Sequence, residues 1–416
     1  MYLLINILGI LAFLAVAVLF SKDRKHIDWK SIGIVLVLNL VIALCLTKFA
    51  WGRDAIKALA NGFTVLIQAA DEGISFALPS WMNAKPLDFV TSALLPILLI
   101  VPLFDIMTYI GFLPWLIKWI GKGLAYITGQ PKFESFFSVE MMFLGNTEAL
   151  AVSTLQLKRM RGERDLTIAM MSMSCVTASI LASYMQMIPG EYVLTAVPLN
   201  ILNAVIISGI LNPIKVTPDE DTIAKVGDDT KNEDAKAEVD KSKENGREPF
   251  FSFLGDSILK AGKLILIITA NVIAFVALAG LIDKILGAIN PNLSLEHILG
   301  VCMFPFAWLL GQDPSNAFQF AQYMGTKLVT NEFVVMGRVS PHINNPHFFN
   351  PHYRAEISVF LTSFANLGTV GMIVGAFKGI VDKSKNDLIS KNVGYMVLSG
   401  ILVSLMSAGI VGLFVW

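Results

Sequence analysis

The chain has 416 residues, 55% of them apolar and only 15% charged, whereas soluble domains carry about 25% charged residues. That balance takes it out of the soluble range and makes lipid the expected solvent. Thirty-two basic and thirty-two acidic side chains cancel, so nothing suggests a nucleic-acid surface, and Cys45, Cys175 and Cys302 are too dispersed for a disulfide framework or a paired metal site.

A helix of about 20 residues crosses the ~30 Å hydrocarbon core of a bilayer. Residues 2–20 form the first uncharged run of that length. No basic region precedes it and the cluster Lys22, Arg24, Lys25 follows it, so it reads as a retained span and not a signal peptide. A second span is expected at 31–49. Residues 50–84 are mixed, with Lys57, Asp71 and Glu72, and suit an amphipathic interfacial helix. A third span follows at 88–111. The piece 133–157 is too polar to cross and reads as a re-entrant hairpin, a backbone form tolerated at membrane depth where protein or a water-filled cavity covers it. Residues 165–188 are long enough to span but are interrupted by SMSCVTAS, and an unbroken span follows at 190–211. Segment 217–248 carries eleven acids against six bases and few residues able to build a core, so a disordered cytoplasmic connector is expected. After it come a span at 258–288, a second polar hairpin at 313–338, a span at 355–377 interrupted by TSFANLGTVG, and a final span at 393–416.

Lysine and arginine concentrate at 22–30, at Lys118 to Lys122, at Lys158 to Arg164 and at Lys378 to Lys391. Placed in the cytoplasm, these clusters give eight spans with both termini outside. The two sides of the connector share one order: hairpin, loop, broken span, unbroken span. Interrupted segments in corresponding positions of two halves point to a transporter site at the interface of inverted repeats. The expected fold is therefore an all-α polytopic membrane protein of eight transmembrane helices and two re-entrant helical hairpins in inverted repeats. Its parts are scaffold spans one to three with the interfacial helix at 1–120, a first repeat at 121–215, the acidic linker at 216–249, scaffold span six at 250–290 and a second repeat at 291–416.

Glu148 and Glu332 lie in the apolar surroundings MFLGNTEALAV and KLVTNEFVVMG. A carboxylate at membrane depth costs roughly 2.5–3.5 kcal/mol on insertion scales, so it marks a substrate or ion path or has a local partner, as Lys327 would be for Glu332. Asn146, Thr147, Thr330 and Asn331 flank the two glutamates. Where Asn366, Gly368 and Thr369 interrupt the seventh span, freed backbone groups and half-helix ends face a cavity. Carboxylates, amides and hydroxyls together suit a polyhydroxylated neutral solute. Phe364 reads either as helix packing or as a face for a sugar or base.

GNTEA at 145–149, TNEF at 330–333 and SFANLGTVG at 363–371 resemble the GQTE, NEF and FANxxS motifs of the concentrative nucleoside transporters. Order and separations match, as does the stretch from the first hairpin through SILASYMQM at 179–187 to ILNP at 210–213. The resemblance implies an elevator-type homotrimer in the plasma membrane that imports nucleosides by ion symport, with no cofactor and no enzymatic activity. It places Asn146, Thr147 and Glu148 toward the nucleobase with Ile180 beside them. Glu332, Asn366 and Thr369 would hold the ribose, and Phe364 would line the same pocket. Asn146 stands where the family often has glutamine, and Thr369 where it often has serine.

Sodium-dependent members of that family place an asparagine four residues before the hairpin glycine and a hydroxyl at the fourth-span break; here these positions are Met141 and Cys175. Sulfur is a poor ligand for a hard cation. A sodium site would be left with the backbone carbonyls near Leu144 and Val176, so the proton is the expected coupling ion, with Glu148 and Glu332 as titratable carriers. Pro341-His342, Pro346-His347 and Pro351-His352 recur every five residues, which places no two histidines on one helical face, and an external loop is expected there in place of a metal site. Two other classes remain: a transporter of another small polar solute, and an intramembrane enzyme, for which no nucleophile or metal motif lies on a span.

Overall fold

The computed structural model describes residues 2–84, 87–217, 219–223, 249–291, 293–345 and 347–416, and of Thr147 the backbone alone. Most of the acidic connector, 224–248, lies outside the described residues. Every regular element among the described residues is helical.

The amino-terminal third contains α1 (Tyr2–Leu19), α2 (Trp29–Thr47), α3 (Ala50–Ala77), α4 (Pro79–Met82) and α5 (Ile97–Tyr109), the last preceded by a wider turn at Val90–Leu94. The first repeat contains α6 (Phe112–Thr128), then α7 (Lys132–Leu144), α8 (Asn146–Val152) and α9 (Thr154–Arg159) as the hairpin. Its broken span is α10 (Gly162–Ser172) with α11 (Ala178–Met185), and α12 (Gly190–Leu211) closes it. The connector leads to α13 (Phe250–Ile289). The second repeat contains α14 (Leu295–Trp308), the hairpin α15 (Pro314–Val329) and α16 (Glu332–Val339), the broken span α17 (Pro351–Leu361) with α18 (Leu367–Ile380), then α19 (Lys383–Lys391) and α20 (Val393–Gly412).

Six helical segments are long and apolar enough to cross a membrane: 2–19, 29–47, 90–109, 190–211, 250–289 and 393–412. They fall on the six uninterrupted spans read from the sequence. Both interrupted spans are broken in the structure, at 173–177 and 362–366, and both hairpins turn where polar residues were noted.

The breaks are stabilised locally. Thr177 accepts from the Ser179 amide to cap α11, Asn331 from Val334 to cap α16, and Asn366 from Thr369 to cap α18. Each cap satisfies a donor that an interrupted helix would otherwise leave bare in the protein interior. Gly145, at φ +87°, makes the turn between α7 and α8, in a region that L side chains rarely adopt.

Helices α12 and α20 form the centre, with nearly all of α12 buried. Helices α1 and α2 pack on this pair, whereas α5 packs with α13. The amide of Asn39 on α2 donates to Asn203 Oδ1 on α12 at 2.8 Å, and Asn203 donates to Ser407 Oγ on α20 at 2.9 Å, a polar ladder through three helices. Helix α13 stands apart, with few buried residues along its 40.

Three features differ from the sequence expectation. The apolar α14 and the amphipathic α6 precede their hairpins as extra packed helices. Span six begins at Phe250, eight residues earlier than its apolar run. The Pro-His segment is only partly a loop: His342 and His347 are exposed, but Pro351 opens α17 and His352 is buried, its ring nitrogens bonded to the carbonyls of Val415 and Leu310. Proline is favoured in the first turn of a helix, where its missing N–H has no partner to lose, so the third repeat of the motif starts a helix.

Candidate functional site

A cavity of about 370 Å³ opens where the two hairpin tips meet the two helix breaks. Hairpin one contributes Phe143, Leu144, Asn146 and Glu148, and the fourth-span break contributes Thr177, Ser179 and Ile180. Hairpin two contributes Thr330 to Phe333, and the seventh-span break contributes Phe364, Asn366, Gly368 and Thr369. The remaining wall is α5 and α13. Asn146, Glu148, Ile180, Glu332, Phe364, Asn366 and Thr369, chosen from sequence positions up to 223 residues apart, thus converge on one space. Of Thr147 the structure places the backbone, in the first turn of α8.

The best-ordered part is a hydrogen-bonded chain through Glu332. Its Oε1 accepts from the Tyr184 hydroxyl at 2.9 Å and its Oε2 from Asn366 Nδ2 at 3.1 Å. Asn366 Oδ1 in turn accepts from the Thr369 amide at 2.9 Å and from Thr369 Oγ1 at 3.2 Å. The amide of Asn366 is oriented from both ends, and Glu332 is fixed while retaining lone pairs, since a carboxylate offers about four acceptor sites. Lys327 is close enough to act on Glu332 by charge but does not bond it: its Nζ donates to the Phe360 carbonyl and to Ser363 Oγ.

Hairpin one presents different chemistry. Asn146 is 6% exposed, and among the described residues neither its Oδ1 nor its Nδ2 has a hydrogen-bond partner. A buried, unpaired amide costs about 1–3 kcal/mol, a cost that a ligand with one donor and one acceptor would remove. Glu148 is paired with Lys260 of α13 at 3.0 Å. Behind the hairpin, Ser172 Oγ bonds Met141 Sδ at 3.3 Å and Cys175 Sγ bonds the Met171 carbonyl at 3.4 Å. Neither sulfur faces the cavity, and Val176 is buried beside it.

Sequence reasoning missed Tyr184 and the wall formed by α13. Tyr184 lies within SILASYMQM, four residues beyond Ile180 and so on the same helical face. On α13 the lining residues Lys260, Lys263, Ile267, Asn271 and Phe275 recur at three- and four-residue intervals, a partly polar stripe on an otherwise apolar helix. That spacing was available in the sequence. Asp105 lines the cavity and accepts from Ser257 Oγ at 2.5 Å, joining α5 to α13. No cluster of three or more metal-ligating side chains occurs among the described residues.

Residues 8–81 match a family model described as Na+ dependent nucleoside transporter N-terminus, and residues 192–412 match its C-terminal counterpart. The chain is 44% identical over 416 residues to the purine nucleoside transport protein NupG of Bacillus subtilis, covering all of both chains. It is 27% identical to the nucleoside permease NupC of Helicobacter pylori, covering 99% of this chain and 98% of that one. The solved structure of CNTnw in an inward-facing substrate-bound state superposes with a TM-score of 0.89 at 26% identity, covering all of this chain and 98% of that chain. With matches at both ends and full-length relatedness at this identity, the chain belongs to the concentrative nucleoside transporter family.

Proposed function

We propose that the protein imports nucleosides across a bacterial plasma membrane by proton symport, with purine nucleosides preferred. The observation that carries the reading is the cavity itself. Its volume suits a small organic solute, one end offers a fixed carboxylate and amide for sugar hydroxyls, and the other offers an unpaired amide for a base. An asparagine amide donates and accepts side by side and so matches an adjacent donor and acceptor on the edge of a purine or a pyrimidine alike. The preference for purines rests on the relative NupG, a purine nucleoside transport protein.

Proton coupling is favoured by the sulfur atoms at Met141 and Cys175, both engaged with neighbouring groups where relatives would need oxygen. The family description names sodium, so these two positions are where this chain departs. Of the two site carboxylates, Glu332 has only neutral hydrogen-bond partners, so protonation there strands no bonded cation, whereas Glu148 faces Lys260. One charge crossing ~100 mV supplies about 2.3 kcal/mol, roughly fifty-fold accumulation.

Movement fits an elevator: α1, α2, α12 and α20 with both hairpins and broken spans form the moving body, and α5 with α13 the fixed wall. CNTnw has been solved in inward-facing, intermediate and outward-facing states. The exposed apolar length of α13 suits lipid and two further copies of the chain in a trimer. In proteoliposomes at constant internal pH, an inward proton gradient should drive concentrative inosine uptake and an inward sodium gradient should not. Sodium-driven accumulation that survives a protonophore overturns the proton assignment and restores a cation site at the Leu144 and Val176 carbonyls.

A further inference from the structure

One buried charge next to the site, Lys327, has so far been given no task. Lys327 stands in the last turn of α15 and is 1% exposed. Its Nζ donates to the Phe360 carbonyl at 2.6 Å and to Ser363 Oγ at 3.1 Å, and lies 4.4 Å from the centre of the Phe360 ring. These acceptors are where α17 ends and the chain unwinds, and a helix end presents unpaired carbonyls and the negative end of its dipole. The same break is tied to the molecule's centre, with Ser363 Oγ 2.6 Å from Ser404 Oγ of α20 and Asn200 of α12 donating to the Thr362 carbonyl at 2.5 Å. Three residues past Ser363 comes Asn366, which donates to Glu332.

The first half makes a corresponding contact with a different side chain. Met141, in the last turn of α7, reaches Ser172 at the end of α10, just before that break. In each half a side chain from the first hairpin arm closes on the end of the broken helix. A thioether does so in one half, an ammonium in the other.

We propose that Lys327 is a positioning residue: its ammonium is a resident monovalent cation at the end of α17, holding the seventh-span break so that Asn366 meets Glu332 without an ion drawn from solution. This rests on the reading of Glu332 and Asn366 as sugar ligands. Burying an ammonium is costly unless its donors are satisfied, and here a carbonyl, a hydroxyl and a ring face surround it. A neutral residue of similar size would fill the space and leave the Phe360 carbonyl bare.

Equilibrium binding of radiolabelled inosine to the purified full-length protein, at fixed pH and sodium, tests this with Lys327→Ala and Lys327→Met. Both are expected to bind about tenfold or more weakly, as for a lost charge-assisted hydrogen bond. Methylammonium or ethylammonium should restore Lys327→Ala to within about threefold of wild type, since either supplies the missing donor. Choline at equal ionic strength should not, nor should any amine restore Lys327→Met, whose socket is full. Wild-type affinity in either variant, or failure of every amine to restore Lys327→Ala, overturns the proposal. Should neither variant fold, Ser363→Ala, which removes one acceptor of Lys327 together with the bond to Ser404, is read against Ser404→Ala, which breaks that bond and leaves Lys327 its acceptor: weaker inosine binding in the first than in the second supports the assignment and equal binding overturns it. Normal binding by Glu332→Gln would strike the sugar-site reading itself, whereas Glu332-dependent binding that ignores Lys327 strikes only the resident cation.

Discussion

Each oxygen of Glu332 has one donor, Tyr184 on one side and Asn366 on the other, which holds the carboxylate still and leaves lone pairs for a hydroxyl. Tyr184→Phe removes one donor and keeps the ring, so inosine uptake efficiency should fall about tenfold, in line with ~1.4 kcal/mol for one hydrogen bond. Glu332→Gln puts an amide among donors and should cost at least a hundredfold while surface expression persists; uptake near wild type would remove the sugar assignment. Asn146 makes the complementary case. With both amide atoms unpaired among the described residues, Asn146→Gln should reorder the preference among bases more than it lowers uptake of all of them, read from competition by a panel of nucleosides. An unchanged ranking would take base recognition away from hairpin one. Free hypoxanthine should compete far less than inosine, because without a sugar the Glu332 and Asn366 groups stay unpaired.

At the scale of elements, the hairpin tips and helix breaks act as rigid edges pressed together. A Cβ built on Gly145 would lie 2.6 Å from Thr177 Cγ2, and the residue sits at φ +87°. Gly145→Ala should therefore abolish uptake. Gly111→Ala, at a similar φ of +89° with open space around it, carries only the ~1–2 kcal/mol of left-handed strain and should transport. Equal loss in both variants, measured as uptake per unit of membrane protein, would mean that the tip contact is unimportant. These breaks were legible in the sequence because polar and small residues inside an apolar run have few other uses. Helix α14 was not, since a mostly apolar helix of 14 residues falls short of a span and nothing in 295–308 marks packing against the next helix. Helix α6 was hidden for another reason: Lys118 and Lys122 were informative as topology markers, and the amphipathic stripe they interrupt went unread. His352 was misplaced because a repeated Pro-His pair looks the same in a turn as at the start of a helix.

At the scale of the molecule, chain order groups spans one to three as a scaffold, while the division proposed from packing puts α1 and α2, which contact α12 and α20, in the moving body and α5 with α13 in the fixed wall. Sequence order cannot reveal which apolar faces meet, because lipid and protein neighbours select the same residues. If the two groups move against each other, cross-links across the boundary and within one group should behave differently. In a chain with its three cysteines replaced by serine, Ile100→Cys with Ala182→Cys, in the small cluster shared by α5 and α11, should arrest uptake on oxidation and release it on reduction. Ile10→Cys with Gly409→Cys, where α1 meets α20, should cross-link without arrest. Arrest by the second pair would refute this division of the chain.

The length of α13 has a further bearing on that movement. Forty residues rise about 60 Å, twice the ~30 Å apolar thickness of a bilayer. Leaning alone would require a tilt of about 60°, beyond the usual limit near 40°, so part of the helix emerges from the hydrocarbon. The cavity faces its middle, between Lys260 and Phe275, and both ends extend past the site. Such a rail registers the thickness of its surroundings: lipids with longer or shorter chains change how much of it they cover, and thereby the height at which the cavity rides.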